Sequence, residues 1–294
     1  MLSDSRLTPR LPTIPPLERG RLALIGMLVA LSVIGWVVTG ERMGGMDAGP
    51  GTDPGSLGFY VTAWVVMMAA MMFPSIAPMV HMYRRINDRR REAGRTRIGA
   101  TSLFVAGFLV AWTAFGVAAY GLIELFRSLS IDALSWNSGG RYVAGVIILI
   151  ASIYQLTPAK DACLRRCRSP LAFVHGNWRS GYTGALRMGV EHGAWCVGCC
   201  WALMAALFAL GVMSVGWMVF VAALIAIEKL LPWKAVANQS IAALLVALGL
   251  AVAFVPGQVP GLTLPDSPEA RGAMTQMDGG AMDKDRPMEK DSMK

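Results

Sequence analysis

The chain has 294 residues, 54% of them hydrophobic and only 16% charged, with a mean hydropathy of +0.49. That balance excludes an ordinary soluble domain, in which about a quarter of residues are charged. The formal charge of +8 would suit nucleic acid, but the basic residues lie in short loops between apolar segments, so the expected partner is the lipid bilayer and no nucleic acid.

The composition predicts an all-α, polytopic transmembrane helix bundle of about seven spans. Residues 1–21 form a basic N-terminal arm with Arg6, Arg10, Arg19 and Arg21. The first span, 22–39, is followed by no small-x-small cleavage site and reads as an uncleaved anchor. The loop at 40–58 is rich in Gly and Pro and carries Met43 and Met46.

Span 2, 59–80, contains Met68, Met71, Met72 and Met79 on one helical stripe, together with Pro74 and Pro78. Prolines inside a membrane helix free backbone carbonyls and bend the axis, and such irregular helices often line binding sites. The loop at 81–100 carries seven arginines, including the run Arg89-Arg90-Arg91, which anionic lipid headgroups would accommodate.

Span 3, 101–125, has small residues Gly107, Ala111 and Gly116 suited to close helix packing, with Glu124 at its far end. Span 4, 142–157, is short and flanked by Tyr142 and Tyr154, which suit the two membrane interfaces. Arginine and lysine counts alternate between successive loops: four, one, seven, two and six. The positive-inside rule then makes the N-terminus cytoplasmic and the C-terminus extracytoplasmic.

The loop at 158–189 carries Cys163 and Cys167, four residues apart and beside Lys160, Arg165, Arg166 and Arg168. On a helix the two thiols share a face, and the cations should make them easier to ionise, so the pair suits a cytoplasmic transfer point. Span 5, 190–212, contains Cys196, Cys199 and Cys200 at i, i+3 and i+4, with His192 one turn before and Met204 one turn after. Soft donors stacked on one helix face suit Cu(I) first and Zn(II) second. Glu191 is a candidate to orient His192.

Span 6, 214–231, ends on Glu228-Lys229, which point about 100° apart and read as interfacial anchors or partners of other helices. Span 7 covers 235–255, which completes a transmembrane domain over 22–255. The tail, 256–294, is polar, expected to be disordered, and carries Met274, Met277, Met282, Met288 and Met293. Such solvated methionines suit a low-affinity external collector of soft metal. With the cysteines confined to the membrane and the cytoplasmic side, structural disulfides are not expected. Span 2 runs inward and span 5 outward, so the methionine stripe, Met68, Met71 and Met72, is expected to face the cysteine cluster.

The strings YQLTP at 154–158, CLRRCRSP at 163–170, HGAWCVGCCWALM at 192–204 and EKLLP at 228–232 together resemble a bacterial domain-of-unknown-function family of predicted metal-binding integral membrane proteins, some of which look like copper chaperones. The resemblance covers about 59–235. It implies Cys163, Cys167, Cys196, Cys199 and Cys200 as metal positions, a home in the bacterial inner membrane, and partners such as an extracytoplasmic copper enzyme of the tyrosinase type.

The leading expectation is a non-enzymatic copper-handling membrane protein that passes Cu(I) toward an extracytoplasmic cuproenzyme, supplied by a cytoplasmic copper donor. A thiol–disulfide oxidoreductase using Cys196 and Cys199 is the main alternative, and a structural membrane subunit is a third. Homo-oligomerisation is left open. No phosphate-binding loop occurs, which excludes ATP-driven pumping by this chain alone. His81, His175 and His192 are the only histidines, and no nucleophile–base pair stands out among them.

Overall fold

A computed structural model of the chain describes residues 16–43, 47, 49, 55–92, 99–129, 136–231, 233–265, 267–272 and 275. Among them every regular element is helical: α1 (Pro16–Met43), α2 (Leu57–Glu92), α3 (Ala100–Ser128), α4 (Arg141–Gln155), α5 (Pro158–Arg168), α6 (Pro170–Gly176), α7 (Gly181–Leu210), α8 (Val215–Leu230) and α9 (Lys234–Phe254). Among the described residues five segments are long and apolar enough to cross a membrane: Leu22–Met43, Leu57–Arg90, Ala100–Ser128, Gly181–Leu210 and Ala235–Phe254.

A helix stands at each of the seven expected positions, but two are short. The 15-residue α4 passes the same test only together with α5, across a 66° bend. The 16-residue α8 is about 24 Å long at 1.5 Å per residue, less than the ~30 Å hydrocarbon core. The expected span 5 is longer than its apolar run suggested, because α7 begins at Gly181 and has 30 residues. The cysteines therefore sit at the middle of the helix, not near its start.

The bundle closes where small residues let backbones touch. A Cβ placed on Gly107 of α3 would stand 2.2 Å from the Leu186 carbonyl oxygen, and one on Gly189 of α7 would stand 2.0 Å from that of Phe104. Only glycine tolerates that approach, and without a hydrophobic drive between helices in lipid such close packing is what holds them together. The α4–α9 contact is built alike: Gly145 lies against the Gly249 carbonyl, and Ser152 Oγ donates to the Ala242 carbonyl at 3.0 Å.

Pro74 and Pro78 do not break α2, which continues through both. Pro74 lacks the N–H that would bond the Ala70 carbonyl. Ser32 Oγ of α1 supplies the missing donor, at 2.6 Å from Ala70 O. The gap left by one helix is filled by its neighbour, as a low-dielectric surrounding requires.

Beyond α9 the described part of the tail is held against the bundle. Pro256–Gln258 form a 3₁₀ turn, Trp217 Nε1 donates to the Gly261 carbonyl at 3.0 Å, and Thr263 Oγ1 donates to Asp47 Oδ2 at 3.0 Å. Met43 is buried at the end of α1. Met46, Met274, Met277, Met282, Met288 and Met293 lie outside the described residues.

Candidate metal centre

The middle of α7 positions Cys196, Cys199 and Cys200 by helical periodicity alone, and all three are buried. Their sulfurs lie within 4.8 Å of one another. Cys199 and Cys200 thiols stand 3.2 Å apart, and Cys199 Sγ donates to the Cys196 carbonyl at 3.1 Å. Two thiolates sharing an ion at about 2.3 Å each are at most about 4.6 Å apart, so the spacing fits shared coordination.

The second cysteine pair is carried to the first by α5. Thr157 caps that helix, its hydroxyl accepting from Lys160 N at 3.3 Å, and Pro158 occupies the first turn, where a missing N–H costs nothing. The turn directs α5 back across α7. There Cys167 Sγ reaches 3.7 Å from Cys199 Sγ, and Cys163 fills the space above Gly198, where a Cβ would be 2.9 Å from its sulfur. Tyr154 donates its hydroxyl hydrogen to the Gly198 carbonyl at 2.6 Å, and the Arg166 guanidinium stacks over Trp195 at 4.0 Å.

Two buried charges lock α5 in place. Lys160 Nζ donates to Glu228 Oε1 at 2.7 Å, with side-chain exposures of 1% and 0%. Arg168 donates to the carbonyls of Glu228, at 3.1 Å, and of Leu231. Glu228 is thus a clamp between α8 and α5, the second of its two expected roles as a partner of another helix. The expected easing of Cys163 ionisation is reversed: burial pushes its thiol up, and Arg166 only partly opposes that.

Lys229, expected as an interfacial anchor or a partner of other helices, takes the second role, and that it enters the sulfur group was not foreseen. Its side chain turns inward and its Nζ lies 2.9 Å from Cys196 Sγ and 4.0 Å from Met72 Sδ. Of the methionine stripe expected to face the cysteines, Met72 thus meets Cys196 through this ammonium. The only sequence signal was the rarity of an ionisable residue inside an apolar helix.

The other expected donors are placed as follows. Met68, Met71, Met72 and Met204 are all buried in the same core as the cysteines. His192 is buried too, but it is not in the group of mutually close ligand atoms; the rings of Phe104, Phe108 and Phe173 surround it at 6.0, 5.9 and 5.1 Å. Glu191 does not orient it. That carboxylate faces away, toward Arg187 at 3.2 Å and Arg179 at 3.4 Å.

The arrangement offers three buried sulfurs on α7 and two half-buried ones on α5, joined by the Cys167–Cys199 contact. Such a donor set favours soft cations. Comparison with known proteins points the same way: a family model described as PpoB2, copper chaperone, matches residues 61–252. No curated protein and no solved structure gives a match. The match takes in every cysteine and well over half of the 294 residues, and the chain belongs to the PpoB2 copper chaperone family.

Proposed function

We propose that this chain carries Cu(I) through a membrane as cargo, holding it on Cys196, Cys199 and Cys200 and passing it toward an extracytoplasmic copper enzyme. The observation that carries the reading is the contact of Cys167 with Cys199 at 3.7 Å, which joins a half-buried thiol pair to a buried thiol cluster. Thiolate-to-thiolate exchange moves Cu(I) without ever releasing a free ion into hydrocarbon. Copper arrives from a cytoplasmic donor at Cys163 and Cys167, moves to the α7 cluster, and leaves by way of Met72, Met71, Met68 and Met204.

In this reading the protein sits in the bacterial inner membrane with α4 and α8 completing seven membrane passes, residues 1–21 in the cytoplasm and the tail from 256 outside. It acts as a carrier, without turnover chemistry of its own. The test is Cu(I) binding by detergent-purified protein under anaerobic conditions, against a competing chelator. Wild type should retain about one or more equivalents, and Cys196→Ser/Cys199→Ser/Cys200→Ser should lose them. Equal retention by both removes the α7 cluster as the site.

A second reading, thiol–disulfide exchange, draws on the same 3.7 Å contact. It uses Cys167 with Cys199 in place of Cys196 with Cys199. It predicts a Cys167–Cys199 disulfide in protein purified without reductant, and no copper retention.

A further inference from the structure

Lys229 brings a full positive charge into the sulfur cage. Its ammonium meets Cys196 Sγ at 2.9 Å and Met72 Sδ at 4.0 Å, while the nearest acid in sequence, Glu228, is turned to Lys160. A buried cation needs an anion beside it, and the partner offered here is sulfur. The cage is therefore built with one cation of its own before any metal arrives.

Charge counting shows what that cation does for a loaded cage. A two-coordinate Cu(I) between two thiolates carries one net negative charge, which a single ammonium cancels. A Cu(I) held by all three α7 thiolates carries two, of which the ammonium cancels one. In a pocket where the three α7 cysteines are at most 1% exposed, an uncancelled charge is expensive.

Resting on the copper reading above, we propose that Lys229 is the fixed counter-cation of the metal cage, offsetting the negative charge that the thiolates leave on bound Cu(I). Its place on α8, and not on the cysteine-bearing helix, allows the charge to stay put while the sulfurs rearrange around copper. Met72 Sδ, on the other side of the same ammonium, keeps the charge beside the first thioether of the exit path as well.

The experiment compares wild type with Lys229→Met, Lys229→Gln and Lys229→Arg, each titrated anaerobically with Cu(I) against a chromogenic chelator. Removing the charge should weaken Cu(I) binding by about 10-fold or more. Lys229→Arg should stay within about 3-fold of wild type. Lys229→Gln keeps a hydrogen-bond donor without the charge, so it separates the two contributions and stands in if the methionine variant does not fold. A Cu(I) affinity that is unchanged in the neutral variants overturns the inference and leaves the copper reading standing. Failure of wild type to bind Cu(I) overturns both.

Discussion

Lys160 and Glu228 form an ion pair 2.7 Å long in which neither side chain reaches solvent, and this pair is what brings Cys167 to Cys199. The charges come from α5 and α8, while the thiols they align belong to α5 and α7. A contact remote from sulfur thus sets the geometry of the cage.

Glu228→Gln should destabilise the fold by about 3–5 kcal/mol, since it leaves the Lys160 ammonium buried without its counter-charge. The double variant Lys160→Met/Glu228→Leu should recover most of that loss, because both charges go together. Thermal unfolding in detergent measures the stability. The Cys167–Cys199 crosslinking yield reports whether α5 still docks, and a Glu228→Gln variant as stable as wild type would contradict the clamp.

Ser32→Ala should cost about 1–3 kcal/mol by leaving the Ala70 carbonyl without a donor in the apolar interior. Ser32→Thr keeps the hydroxyl and should recover part of the loss. The check is the unfolding midpoint in a series of denaturing detergent mixtures. The effect should be confined to stability, with Cu(I) affinity of the folded fraction unchanged.

Gly189→Ala should be far more damaging than an alanine in a helix normally is. Its Cβ would lie 2.0 Å from the Phe104 carbonyl oxygen, so α3 and α7 must separate. Overpacking of this kind costs about 1–3 kcal/mol or more. Folded yield after size-exclusion chromatography reads it out, with Gly26→Ala, which meets nothing within 4 Å, as the control.

Cys163 should react slowly with iodoacetamide at pH 8. Its thiol is raised by burial, so a smaller thiolate fraction is present than on a free cysteine, and the rate should climb only at higher pH. Arg166 opposes the rise, so Arg166→Gln should slow the reaction further. Mass spectrometry of the alkylated peptide follows this, and a faster Arg166→Gln reaction would contradict the assigned sign.

Features with a local cause were legible in the residues alone. The apolar runs marked every long helix to within a few residues at most ends, and the spacing of Cys196, Cys199 and Cys200 put three sulfurs on one face, because helical periodicity is a property of the chain itself. The start of α7 was missed since Gly181 to Gly189 are too polar to register as a span, yet they continue the helix against α3.

What the sequence by itself determined is therefore a helical membrane chain with a soft-donor ladder in one helix. Only the tertiary structure decided that Lys229 enters the cage, that His192 sits among phenylalanines, and that Cys167 completes the sulfur group. Lys229 and Cys196 are 33 residues apart, and Cys167 and Cys199 are 32 apart. No period within one helix relates such positions. Their meeting depends on how closely neighbouring helices approach, which the Gly107–Gly189 contact and the Lys160–Glu228 pair set through interhelical sterics and buried charge.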